Sequence, residues 1–298
     1  MRSKIADRVQ QSPTAALRKV WCAIAVFLLA LALPFPALAL PEESRVPGGI
    51  ALVRLGAVSL NSAKPRVWLG EQPVWVSANN GQWVAVVGLA LDLPPGAHNL
   101  RTDDGEVQRQ VEFDVRPKNY PSQHIRLKDS SKVTLSPADE ARAVAEIAEI
   151  QKLKRHWRDE EADDLQFIQP AAGRLASRFG LRRFFNGEAR ATHSGLDVAI
   201  GRGTPVKATA RGTVLAVGDY FFNGKTVFVD HGNGLISMVC HLDRIDVQAG
   251  DPVSQNQRVG LSGMTGRASG PHLHWSMVLN GVMVDPELFI APNDSVRR

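Results

Sequence analysis

Five of the chain's eight histidines lie between residues 193 and 274, and four of these stand in short sets able to do metal chemistry. In His193-Ser194-Gly195-Leu196-Asp197 an imidazole precedes a carboxylate by four residues. Cys240-His241-Leu242-Asp243 holds a second imidazole, and His272-Leu273-His274 places two around one leucine. Zinc accepts imidazole nitrogen and carboxylate oxygen, and a catalytic site uses three protein ligands and leaves a fourth position open. His193, Asp197 and one of His272 and His274 meet that count, and spacing does not choose between the last two. The surplus imidazoles, with an ordinary pKa of about 6.5, can move protons near neutral pH.

Such residues need elements that bring them together. Side chains alternate along a strand, so His272 and His274 share a face and Leu273 points to the other. The same parity sets Val239 and His241 against Cys240, which therefore reads as a small buried hydrophobe and not a ligand. From Leu165 onward, turns at Gly203-Thr204-Pro205, Gly212-Thr213 and Asn223-Gly224 punctuate short apolar runs. Lys225 to Asp230 and Leu235 to Leu242 flank His231-Gly232-Asn233-Gly234 as a hairpin. This density of turns predicts an antiparallel sheet and not βαβ units. His231, in a turn, reads as structural; His98, His124 and His156 belong to no motif.

Upstream, residues 45–130 predict a small β domain, with a hairpin at Asn79-Asn80-Gly81 and a second turn at Asp103-Asp104-Gly105. A connecting helix is expected over 136–164. Ser136 caps it, Pro137 suits its first position, and Val144, Ile147, Ile150, Leu153 and Trp157 form one apolar stripe. The charged run Arg158 to Asp164 reads as a solvated face.

Residues 1–39 hold five bases and one acid, which leaves 30 bases against 29 acids in the remainder. That near-neutral body excludes an electrostatic case for nucleic-acid binding. The basic start, the apolar run Val20 to Leu33 and Ala37-Leu38-Ala39 have the layout of a secretory signal peptide cleaved after Ala39. An uncleaved inner-membrane anchor is the alternative, and Pro34 and Pro36 disfavour a regular spanning helix. Cys22 would leave with the leader, so Cys240 has no partner for an internal disulfide.

Three blocks carry a resemblance over about Phe179 to Phe289: HSGLDVAIGRGTPVKATARGTV, DHGNGLISMVCHL and GRASGPHLHW. Together and in this order they resemble the lysostaphin/LytM-type zinc metallopeptidases that cut peptide cross-links in bacterial cell walls. The resemblance implies that His193, Asp197 and His274 bind one Zn²⁺ and that His241 and His272 are catalytic without being ligands. Phe179 to His193 resembles the Gram-negative branch, and Phe113 to Leu127 resembles the β domain that precedes the peptidase there. Arg182, Arg183 and Asn186 are then candidate substrate-facing residues, since arginine forks suit the carboxylates of wall peptides. Two positions depart from the pattern: Val239, where tyrosine is frequent, and Thr192, where proline is common.

The implied architecture is mainly β: a small N-terminal β domain, a connecting helix, and a C-terminal antiparallel β-sheet peptidase domain of lysostaphin type over 165–292. The implied function is a periplasmic zinc endopeptidase hydrolysing peptide stems or cross-links of peptidoglycan, at the bond between D-alanine and diaminopimelate, by a metal-activated water. Peptidoglycan is the expected partner, with cell-wall regulatory proteins beside it. A rival reading is an inactive relative that binds and activates cell-wall amidases; the five filled positions stand against it. The front domain would hold the chain near the wall or cover the groove.

Overall fold

The computed structural model describes residues 40–59, 63–126, 135–160, 166–189 and 191–290. Its front region runs through β1 (Ile50–Ala57), β2 (Arg66–Leu69), β3 (Gln72–Pro73), β4 (Trp75–Asn79), β5 (Gln82–Gly88), β6 (Gly96–Asp103) and β7 (Gln108–Val115). The expected turn at Asn80-Gly81 joins β4 to β5, with φ of 48° and 72°, the geometry of a two-residue hairpin. β1-β5-β4 and β3-β2-β6-β7 form two sheets. Alternate residues fill the space between them, among them Ala51, Val53, Val76, Val87, Leu100 and Phe113.

The opposite side of the first sheet is not left to water. Ile50, Trp75 and Val86 join the main core of the second half, with Leu196, Trp275 and Leu279. Asn280 fastens the contact. The Gly88 amide donates to its Oδ1 at 2.6 Å, and its Nδ2 donates to the Gly88 carbonyl at 3.1 Å. Front domain and second half thus share one apolar core.

Next come β8 (Ser122–Ile125), helix α1 (Pro137–Lys154), β9 (Arg174–Ser177), β10 (Arg182–Phe185) and β11 (Glu188–Ala189). The sequence assigned β8 to the front domain, but it pairs in parallel with β10, Arg182 opposite Ser122. α1 begins as expected, with Ser136 Oγ accepting from the Asp139 amide at 3.1 Å. It ends at Lys154, ten residues before the expected limit, and the expected stripe is only half used. Ile150 and Leu153 pack on a second apolar cluster with Tyr220, Ile236 and Val278. Val144 and Ile147 are 63% and 47% exposed. The reason is that polar bonds dock this stretch of the helix: the Phe221 amide donates to Glu146 at 2.6 Å, and the Tyr220 hydroxyl to Glu149 at 3.1 Å. Nor is Arg158 to Asp164 simply a solvated face. Arg158 donates to the buried Asp230 at 2.6 Å, and Asn233 Nδ2 to the Glu160 carbonyl at 2.6 Å. Residues 161–165 lie outside the described residues, as does the expected signal peptide.

The second half adds β12 (Leu196–Ala199), β13 (Pro205–Lys207), β14 (Gly212–Tyr220), β15 (Gly224–Asp230), β16 (Leu235–Ile245), β17 (Pro252–Val253), β18 (Arg258–Ser262), β19 (Leu273–Leu279) and β20 (Val282–Val284). With β9 these make a ten-stranded sheet whose path is β17-β14-β15-β16-β19-β12-β9. All its pairings are antiparallel, as the turn density predicts. One face carries Val239, Leu273, Trp275 and Met277 into the main core. The other carries the candidate site. Among the described residues no helix is long and apolar enough to cross a membrane.

Candidate metal centre

Register builds the site. β12 runs antiparallel to β19, with Leu196 opposite Trp275 and Asp197 opposite His274. Leu196 and Trp275 are fully buried in the core, so the alternation turns Asp197 and His274 together onto the other face. The loop holding His193 lies flat on β19 because residue 195 is glycine. A Cβ there would stand 2.5 Å from the Trp275 carbonyl and 2.6 Å from Ser276 Oγ.

Asp197 Oδ1 lies 2.9 Å from His193 Nε2 and 2.9 Å from His274 Nδ1, and the two nitrogens are 3.2 Å apart. His193 Nδ1 is 2.9 Å from the Arg178 carbonyl. A carbonyl only accepts, so Nδ1 carries the hydrogen and Nε2 turns a lone pair toward the carboxylate. Such neighbours need positive charge between them, a proton or a cation. A tetrahedral zinc site with bonds of about 2.0–2.1 Å has ligand atoms about 3.3 Å apart, close to the triangle seen here. Both histidines are held by outer partners: Ser276 Oγ is 2.8 Å from His274 Nε2, and Ser177 Oγ 3.3 Å from His193 Nδ1. That is how imidazole ligands are usually oriented. The donor set and its spacing fit zinc.

His241 and His272 stand beside this triangle, their rings 4.7 Å apart at the centroids and His241 6.1 Å from His274. His272 Nε2 is 3.8 Å from Asp197 Oδ1. Each spends Nδ1–H on a carbonyl, of Thr265 at 2.9 Å and of Gly270 at 2.8 Å, which puts the lone pair of the neutral ring on Nε2. Strand parity gave the wrong face here. Cys240, not His241, is the direct partner of His274 and so lies on the site's face. His241 reaches that face because its backbone turns left-handed, φ 61°, a conformation uncommon outside glycine and concentrated at functional sites. Cys240 is nonetheless a fully buried hydrophobe in the second cluster, and burial, with Asp197 nearby, pushes its thiol up to about 11.

Burial also acts on the titrating groups. It raises the Asp197 carboxyl, but the adjoining imidazoles of His193 and His274 outweigh it and hold Asp197 well below the usual carboxylate range. Burial lowers His274 against the pull of Asp197. It lowers His241 to about 4 against the pull of the Thr265 carbonyl, so His241 is neutral at pH 7.

Of the three substrate-facing candidates, the fold brings one to the centre. Arg183 Nη2 donates to Ser177 Oγ at 3.1 Å and stands 3.6 Å from Asp197 Oδ2. Arg182 instead donates to the Tyr120 carbonyl at 3.1 Å, and Asn186 occupies the β10–β11 turn with φ 53°. The structure adds Ser276 and Thr265. Ser276 is two residues from His274 and legible by parity; Thr265, in a loop, had no sequence signal. His231 is buried, its Nδ1 donating to the Arg211 carbonyl at 2.7 Å and its Nε2 2.9 Å from Ser237 Oγ. His98 bonds the Pro94 carbonyl, His124 stacks on Phe184, and His156 lies 3.6 Å from Asp230.

Residues 191–286 match the model of peptidase family M23, and residues 43–118 that of the peptidase family M23 N-terminal domain. A solved Pseudomonas aeruginosa structure described as an M23 peptidase is 40% identical, covers 83% of this chain and 96% of its own, and superposes with a TM-score of 0.69. Peptidoglycan DD-endopeptidase ShyA of Vibrio cholerae is 37% identical over 129 residues, 41% of this chain and 30% of ShyA. DD-carboxypeptidase/endopeptidase Mpg of Neisseria meningitidis is 36% identical over 113 residues, 38% of this chain and 26% of Mpg. The chain thus spans less than a third of either curated relative. The match to the Pseudomonas structure runs through front domain and sheet alike, and the chain belongs to peptidase family M23.

Proposed function

We propose that this chain is a zinc-dependent endopeptidase that hydrolyses peptide stems or cross-links of peptidoglycan. The observation that carries the reading is the meeting of His193 Nε2, Asp197 Oδ1 and His274 Nδ1 within 4.8 Å of one another, with two further imidazole lone pairs beside them. The likeness to ShyA and Mpg supports the substrate class. The bond between D-alanine and diaminopimelate and export through the leader are parts of the same proposal.

A bound zinc ion would polarise the scissile carbonyl and lower the pKa of a water it holds. His193, Asp197 and His274 would grip it. His241, kept neutral by burial, accepts a proton at Nε2, and its fixed Nδ1–H···O=C bond keeps that tautomer. His272 presents Nε2 from the other side and serves as the second proton carrier or as a donor to the developing oxyanion. Arg183 stands 3.6 Å from the outer oxygen of Asp197. A purely regulatory chain that activates amidases would require none of these four histidines, nor Asp197.

The test is digestion of isolated sacculi by the purified protein, with mass analysis of the released muropeptides. Zinc-dependent loss of cross-linked dimers is expected, and its absence from the His193→Ala protein. Digestion by His193→Ala at the wild-type rate would remove the proposal.

A further inference from the structure

His193 comes to the metal centre from a loop, and the turn from Arg178 to Leu181 holds it. The Gly180 amide donates to the His193 carbonyl at 2.8 Å, the His193 amide to the Leu181 carbonyl at 3.0 Å, and His193 Nδ1–H to the Arg178 carbonyl at 2.9 Å. Where that turn stands therefore decides where Nε2 points. The turn rests on Tyr120. A Cβ on Gly180, whose φ is 83°, would overlap Cδ1 and Cε1 of the Tyr120 ring, so the ring lies directly against the Gly180 backbone. Phe179 meets the same ring edge-on, 6.2 Å between centroids. The next residues extend the grip: the Arg182 amide donates to the Pro121 carbonyl at 3.0 Å, and Arg182 Nη2 to the Tyr120 carbonyl at 3.1 Å.

Tyr120 lies on the chain that leaves the front domain after β7, and it is tied back to that domain. Its hydroxyl donates to the Pro47 carbonyl at 2.8 Å. Gly48 makes room for the contact: a Cβ there would overlap Phe179 Cε1 and stand 2.9 Å from the Tyr120 hydroxyl. Tyr120 thus meets the front domain through its hydroxyl and the turn that holds His193 through its ring. We propose that Tyr120 is a positioning residue for His193, through which the front domain sets one ligand of the metal centre. Without the ring the turn loses its seat, and His193 Nε2 loses its place 2.9 Å from Asp197 Oδ1. Support behind a ligand counts because it fixes the ligand's geometry before the metal arrives. The inference rests on the proposed zinc centre.

Zinc affinity of the full chain, measured by competition with a chromophoric chelator, tests it without reference to turnover. Tyr120→Ala is expected to bind zinc about tenfold more weakly, the lower end of the range for loss of a ligand's outer partner. Tyr120→Phe, which keeps the ring, should bind as the wild type does. Leu100→Ala removes a side chain from the front domain's own core and controls for lost stability; it should keep wild-type affinity. Unchanged affinity in Tyr120→Ala overturns the inference, as does equal weakening in Leu100→Ala. If Tyr120→Ala does not fold, the wild type decides. The chain has two tyrosines, Tyr120 and Tyr220, so isotope-labelled tyrosine gives one set of ring resonances for each, told apart by Tyr120→Phe. Zinc should move the Tyr120 set until the site is filled, and a Tyr120 set that stays in place overturns the inference. A wild type that binds no zinc sinks the proposed function together with this inference, whereas zinc held equally by the wild type and Tyr120→Ala removes this inference alone.

Discussion

Asp197 and His274 are direct cross-strand partners, and Asp197 Oδ1 stands 2.9 Å from His274 Nδ1. This pairing is made by the sheet itself, so two of the three proposed metal ligands are set as soon as β12 and β19 find register. Only His193 arrives from a loop.

Replacing the shared carboxylate should release the metal with the fold intact. Asp197→Asn is expected to lower zinc affinity at least 10–100-fold, the range for loss of even an outer partner of a ligand. Competition with a chromophoric chelator measures it. Chelation of the wild type should lower Tm, because a ligand at about 1,000 times its Kd adds about 4 kcal/mol to the folded state.

His241 should be the base that does not limit acid activity near neutrality. Its pKa is lowered to about 4 by burial, so it stays neutral, and able to accept a proton, as pH falls through the ordinary histidine range. His241→Gln is expected to lower kcat about 100-fold or more with zinc content unchanged. A wild-type loss of rate near pH 6.5 that disappears in this variant's residual activity would contradict the assignment.

Thr265 should matter to rate through the orientation of His241. Its hydroxyl donates to the Leu242 carbonyl at 2.7 Å and accepts from the Lys225 amide at 2.9 Å, which fixes the carbonyl that receives His241 Nδ1–H. Thr265→Val is expected to lower kcat about tenfold with KM little changed, and Thr265→Ser to restore it. Equal loss in both variants would show packing, not hydrogen bonding, at work.

The bond between the halves should be visible in unfolding. Asn280→Ala leaves the buried Gly88 amide and carbonyl without partners, at about 1–3 kcal/mol each. Asn280→Asp keeps an acceptor for the amide but sets a buried carboxylate oxygen against the Gly88 carbonyl, so by urea denaturation it should lose at least as much. Because the halves share a core, residues 165–298 alone are expected to be less stable than the chain from residue 40. That stability difference must be separated from any change in rate when the front domain is tested as a gate.

His231 should make the fold acid-sensitive. Burial lowers its pKa to about 4, below the unfolded value of about 6.5, so the unfolded chain binds the extra proton in between. Stability is full above about pH 6.5 and declines as pH falls toward 4, by at most about 3 kcal/mol from this group. His231→Gln should be less stable at pH 7 yet show a flatter Tm between pH 7 and 4; an unchanged slope would exclude His231 as the cause.

Local pattern carried much of this protein. Asn-Gly at 80–81 announces its hairpin because few residues accept left-handed angles there. Spacing and resemblance single out His193, Asp197 and His274, and the apolar alternation around Leu273 and Trp275 says which face is core. These are short-range signals, written within a few residues. What tertiary structure alone decided is long-range. The left-handed turn at His241 moves a catalytic candidate across the sheet and defeats parity counting. β8 leaves its domain to pair with β10, some sixty residues on. Docking on the Asp219–Phe221 turn leaves Val144 and Ile147 exposed. Which face of an element is buried, and which way a side chain turns at an irregular residue, depend on what packs against it, and that partner is not a neighbour in the chain.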